Sequence, residues 1–213
     1  MNFSITSTGP NSSARTGTLK TDHSQIDTPV FMPIGTSGAV KTLLPQELYD
    51  VNTAIILGNT YHLFLRPGHD LIHRTGGLHK FMNWGKSILT DSGGFQVYSL
   101  AKLNKISDEG VKFQSHLDGS SHFITPEISM EIQLSLGADI IMAFDVCPPG
   151  EATKETVISA VDQTTKWIKR CKDYLDSSQA PYNWNQTMFP IIQGGIYPEL
   201  RKNSVEEMVP YST

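Results

Sequence analysis

The sequence predicts an α/β protein built on a parallel sheet. Three observations predict it: five short apolar runs rich in β-branched residues, polar residues after each followed by a helical pattern, and no polar alternation inside the runs. A run that is apolar throughout suits a strand buried on both faces, as in a parallel sheet covered by helices.

The runs fall at 29–34, 54–57, 87–89, 139–144 and 188–192. A helix at 45–51 follows the first; one at 67–74 follows the second, with Gly76 and Gly77 as its stop signal. The third run leads into 111–124, where Val111, Phe113, Ser115 and Leu117 alternate up to Asp118 and Gly119 and residues 122–124 return. That pattern is a β-hairpin inserted after strand 3. The next helix opens with Thr125 as N-cap, Pro126 at the first helical position and Glu127 in the first turn, and Gly137 ends it. The longest helix, at 153–175, places Val157, Val161, Ile168, Cys171 and Leu175 near one face, and a helix at 198–209 follows the fifth run. Five βα units in series fit either an open doubly wound sheet or part of an eight-stranded barrel. No GxGxxG follows the first run, and Gly85-Lys86-Ser87 leads into a strand rather than a helix, so neither a dinucleotide turn nor a phosphate loop is read here.

With 213 residues, 38% hydrophobic and 18% charged, the chain has the make-up of one soluble globular domain with a sizeable core. The N-terminal residues lack the charged and apolar regions of a signal peptide, and no apolar stretch approaches the length of a bilayer span. The expectation is a cytoplasmic protein with no membrane partner. Cys147 and Cys171 suggest neither a disulfide framework nor a CxxC pair. A net charge of −4 offers no compositional argument for a nucleic-acid partner, although a local basic patch is compatible with an acidic whole.

In a parallel α/β architecture the functional groups project from the C-terminal ends of the strands. Here those ends are polar: Gly58-Asn59-Thr60, Thr90-Asp91-Ser92, Asp145 and Gln193. Each alone would pass as a helix cap or loop residue; four at equivalent places mark a candidate site. After Asp91 and Ser92, the glycines Gly93 and Gly94 let the backbone approach a flat ligand, with Phe95 placed to lie over it. Asp91 can exchange a proton with a heterocycle nitrogen if burial or a like-charged neighbour moves its pKa toward neutrality, and Asp145 is the candidate neighbour. Asp145 and Gln193 suit a guanine-like base: the carboxylate accepts from two adjacent N–H donors and the amide donates to a carbonyl. Cys147 has no evident histidine partner in sequence and reads as a pocket-lining thiol. His69 and His73 stand four apart, but without the glutamate of HExxH they show no metal site.

The strings ARTGTLKT, TPVFMPIGTSGAVKTL, IILGNTYHLFLRPG, GGLHKFMNWGKSILTDSGGFQVYSL, GVKFQSHLDGSSHFITPE, IQLSLGADIIMAFDVCPP and IIQGG run in order from residue 14 to residue 195. Together they resemble the tRNA-guanine transglycosylases (queuine tRNA-ribosyltransferases), of bacterial type by the DVCPP at 145–149. The resemblance implies a (β/α)8 TIM barrel, with residues 1–213 as the N-terminal part of a single catalytic domain truncated after about five βα units. It implies exchange of guanine at the tRNA wobble position for a 7-deazaguanine of preQ1 type, in queuosine biosynthesis. Asp91 matches the general acid/base, Ser92, Gly93, Gly94 and Phe95 the base pocket, Asp145 and Gln193 the readers of the base edge, and Asn59 a supporting residue. The family's nucleophilic aspartate, its Cys/Cys/Cys/His zinc subdomain and its anticodon-binding surface are expected beyond Thr213; no organic cofactor is expected, and the full-length protein is expected to be a homodimer. The truncated chain alone is expected to be inactive. Two rivals stay open: Asp91 as nucleophile with Asp145 as acid/base, and a non-catalytic tRNA- or base-binding homologue or partner subunit.

Overall fold

The computed structural model describes residues 1–100 and 104–211. It opens with an antiparallel sheet of β1 (Asn2–Thr8), β2 (Arg15–Lys20) and β3 (Gln25–Thr28), for which the sequence carried no clear signal. β1 is exposed along its whole length, so its Ser and Thr residues show no apolar periodicity. Of this sheet, Ile26 reaches a core, packing with Ile55, Leu89 and Ile140.

The chain then continues through β4 (Ile34–Gly35), α1 (Pro45–Asp50), β5 (Ile55–Gly58), α2 (Thr60–Leu65), α3 (His69–Arg74), α4 (Leu78–Met82) and β6 (Ser87–Thr90). After β6 come α5 (Gly94–Leu100) and a second antiparallel sheet of β7 (Asn104–Ile106), β8 (Val111–Gln114) and β9 (Ser121–Ile124). The remainder is α6 (Pro126–Leu136), β10 (Ile140–Met142), α7 (Lys154–Ser177), β11 (Thr187–Phe189) and α8 (Pro198–Met208). Strands β4, β5, β6, β10 and β11 form one sheet, parallel at every pairing, and they lie side by side in chain order. A doubly wound sheet reverses its strand order at a switch point; this sheet does not.

Strand alternation buries both faces. Ile55, Leu89 and Ile140 point to one side, while Ile56, Ile88 and Ile141 meet Tyr61, Leu63, Met130, Ile132, Leu136 and Ile168 from the helices on the other. Helix ends follow the residues expected of them: the Thr125 hydroxyl accepts from the Ile128 N–H at 3.3 Å, the Thr153 hydroxyl accepts from Thr156, and Gly137 closes α6 at φ +77°.

Several boundaries differ from expectation for local reasons. The run at 29–34 forms only Ile34–Gly35 as strand, because Pro29 and Pro33 have no N–H for a ladder. Pro190 likewise follows directly on the end of β11. Instead of one helix at 67–74, the chain makes α2 and α3 with Arg66 and Pro67 between them, since the residue before a proline avoids helical geometry. Among the described residues no helix is long and apolar enough to cross a membrane.

Candidate active site

Asp91 stands one residue past β6, where its N–H donates to the Gly58 carbonyl at 3.2 Å and so holds it beside the end of β5. Asn59 Nδ2 donates to Asp91 Oδ2 at 2.5 Å, Gln96 Nε2 to the same oxygen at 3.0 Å, and the Thr60 N–H to Oδ1 at 2.8 Å. The Thr60 hydroxyl fixes the backbone as well, donating to the Asp91 carbonyl at 2.5 Å. Burial raises the pKa of Asp91 above the ordinary carboxylate value, against the pull of these donors. The result is a carboxyl past the end of β6, oriented by donors at the end of β5, the start of α2 and the first turn of α5, and made easier to protonate.

Asp145 follows β10 and is only 8% exposed. Its Oδ1 accepts from the Ser92 hydroxyl at 2.7 Å and its Oδ2 from Gln193 Nε2 at 2.7 Å. Ser92 in turn accepts the Gly94 N–H at 3.1 Å, and its carbonyl accepts from Ser129 at 3.0 Å. The Gln193 N–H donates to the Ser204 hydroxyl of α8 at 3.1 Å. Glycine at 94 is required by this approach: a Cβ there would sit 2.6 Å from the Asp145 carbonyl oxygen. Burial pushes the Asp145 pKa up to about 6, and the negative charge of Asp91 adds to the rise while Ser92 and Gln193 oppose it.

The sequence-nominated residues thus meet as one connected group: Asn59 with Asp91, and Ser92, Gly94 and Gln193 with Asp145. Gly93, at φ +80°, makes the turn that joins the two halves. Cys147 lies at the edge, lining a small pocket with Gly94, Val97 and Asp145, and burial followed by the Asp145 charge raises its thiol pKa. Phe95 is the second residue of α5, and with 56% of its surface exposed its ring is accessible to a ligand. Sequence reasoning assigned no role to Thr60, Gln96, Ser129 and Ser204. Gln96 carried a signal, a polar side chain in the first turn of a helix that starts at the second of two glycines; single serines on α6 and α8 carried none.

Two carboxyls with raised pKa values, one beside amide donors and one paired with a primary amide, can divide proton transfer from recognition of a polar heterocycle. Neither His69 nor His73 contributes: His73 Nδ1 lies 3.1 Å from the Tyr182 hydroxyl and His69 pairs loosely with Asp70.

Residues 11–213 match the family model described as Queuine tRNA-ribosyltransferase. The chain belongs to this family. It is 55% identical over 195 residues to the queuine tRNA-ribosyltransferase of Fusobacterium nucleatum, covering 92% of this chain and 51% of that relative. With the protein of the same name from Halothermothrix orenii it shares 55% identity over 199 residues, 93% of this chain and 52% of the relative. The Pelotomaculum thermopropionicum protein, likewise so named, is 50% identical over 209 residues, 98% of this chain and 55% of its own length. This member of the family therefore spans about half the length of the curated relatives it matches.

Proposed function

We propose that this chain carries the base-handling half of a tRNA-guanine transglycosylase, a pentosyltransferase that replaces the wobble guanine of a tRNA with a 7-deazaguanine of preQ1 type in queuosine biosynthesis. The observation that carries the reading is the linked group Asn59–Asp91 and Ser92–Asp145–Gln193 at adjacent strand ends. Asp145 accepts from the two neighbouring N–H donors of the base edge, and Gln193 donates to its carbonyl. Phe95 stacks on the base, with Gly93, Gly94 and Cys147 lining the pocket. Asp91 protonates the departing guanine at nitrogen and takes a proton from the incoming base.

The reaction is a double displacement. A second carboxylate attacks the ribose as the glycosidic bond to guanine breaks, and the new base then displaces that carboxylate, as in retaining glycosidases. The nucleophile is assigned to the part of the relatives that this chain does not span. Strands in chain order support placing residues 1–213 as the N-terminal part of one (β/α)8 barrel that the rest completes. Membership of the family supports a cytoplasmic homodimer acting on tRNA. A Cys/Cys/Cys/His zinc set does not fit the residues here, which include only Cys147 and the fully buried Cys171, and no step is routed through zinc.

The rival in which Asp91 is the nucleophile is tested by trapping the tRNA adduct of the full-length enzyme and mapping the modified peptide. The adduct is expected on an aspartate outside residues 1–213; an adduct on Asp91 would reverse the roles.

A further inference from the structure

A second polar cluster lies at the N-terminal ends of the strands, opposite the candidate active site. It joins His23 in the β2–β3 turn, His79 on α4 and Asp139 just before β10. Asp139 is fully buried; its Oδ1 lies 2.7 Å from His23 Nδ1, and its Oδ2 accepts the Ile88 N–H at 2.9 Å and lies 3.3 Å from His79 Nε2. The two imidazoles stack with centroids 3.6 Å apart, and the Trp184 edge closes on both.

The proton inventory of His79 is informative. Its Nδ1 is 3.1 Å from the Trp84 carbonyl oxygen, which can only accept, so Nδ1 carries the proton. In the neutral ring Nε2 is then a lone pair; it is buried, has no hydrogen-bond partner and faces a carboxylate oxygen. Two electron-rich atoms so placed repel unless a cation lies between them. A proton would draw them to the roughly 2.7–2.9 Å of a charge-assisted hydrogen bond, the spacing His23 and Asp139 show. Two donors on a tetrahedral ion with bonds of about 2.0–2.1 Å stand about 3.3 Å apart, the spacing His79 and Asp139 show.

We propose that His23, His79 and Asp139 form a binding site for a divalent transition-metal ion of the zinc class, separate from the base-handling site. The three donor atoms lie within 4.8 Å of one another, and two imidazoles with a carboxylate suit such an ion. Outer partners already orient two ligands: the Trp84 carbonyl holds His79 and the Ile88 amide holds Asp139, the arrangement usual around metal ligands. Binding of the ion at His23 Nδ1 requires the proton now facing Asp139 Oδ1 to leave that nitrogen. The ion would fasten the antiparallel β1–β3 sheet to α4 and β10.

The test is a titration of the 213-residue chain, stripped with a chelator, with Co2+, followed by visible d–d absorption. One equivalent is expected to bind, to be displaced by Zn2+ and to raise the melting temperature. Asp139→Asn and His79→Gln are expected to weaken binding by about tenfold or more, and His73→Gln to leave it unchanged. Because the buried variants can fail to fold, His23→Gln, on the partly exposed ligand, is measured too; it should bind Co2+ more weakly with an unaltered far-ultraviolet circular dichroism spectrum. No Co2+ absorption in the wild type, or equal affinity in His23→Gln, would overturn the proposal. So would nitrogen NMR showing both His79 ring nitrogens protonated in excess Zn2+, which would assign a proton to the gap.

Discussion

At the scale of the residue, Asp91 and Asp145 have the same side chain and different surroundings. Asp91 receives amide donors from Asn59, Gln96 and Thr60; Asp145, more deeply buried, is raised to about 6 with Asp91 contributing. A raised carboxylate pKa means the folded state holds the proton more tightly than the unfolded one. The stability it contributes is therefore fully present below the ordinary value of 3.8 and is lost as pH rises through about 6. Base recognition runs the other way, since the proposed role needs the ionised form. Affinity of the full-length enzyme for a 7-deazaguanine, followed by calorimetry, is expected to rise about tenfold between about pH 5 and pH 7 for a group titrating near the middle of that interval. The rise should vanish in Asp145→Asn; a rise that persists there would assign the titration to another group. The four strand-end residues were legible in the sequence because each follows an apolar run. Their hydrogen bonds were not, because Ser92, Gly94 and Ser129 meet Asp145 or one another only once β6, α6 and β10 are packed.

At the scale of the element, the runs at 54–57 and 87–89 became strands nearly as read, since β-branched and apolar residues there fill both faces of the sheet. The run at 29–34 did not, for its prolines cannot donate. Helix α6 was legible from Thr125, Pro126 and Gly137, which set its ends without any tertiary help. What holds the β7–β9 sheet against the helices was not legible. Arg170 of α7 forms a two-point fork with Glu127 of α6, at 2.7 Å on both oxygens, and its Nη1 donates to the Asp108 carbonyl between β7 and β8 at 3.0 Å. Desolvation works against the ionised Glu127, yet the Arg170 fork prevails and takes its pKa down to about 2. Arg170→Lys keeps the charge and loses the fork, and is expected to lower stability by about 1 kcal/mol in denaturant unfolding. An unchanged midpoint would show that the sheet is held by packing alone.

For the whole molecule, the order of the sheet favours the proposed barrel over the doubly wound alternative the sequence left open. β4, β5, β6, β10 and β11 succeed one another without reversal, and hydrogen bonds link the residues that follow β5, β6, β10 and β11. Phe31 at 82% exposure and Ile196 at 73% leave apolar surface uncovered in this chain, which the proposed barrel would bury. The proposed function rests on Asp91. The direct measurement is incorporation of labelled guanine into tRNA by a full-length enzyme carrying Asp91→Asn, with tRNA binding measured on the same protein. A proton-carrying role for Asp91 predicts retained tRNA binding and exchange lowered by about 100- to 10,000-fold, the range general acid–base catalysis supplies. Exchange at the wild-type rate with binding intact would contradict it.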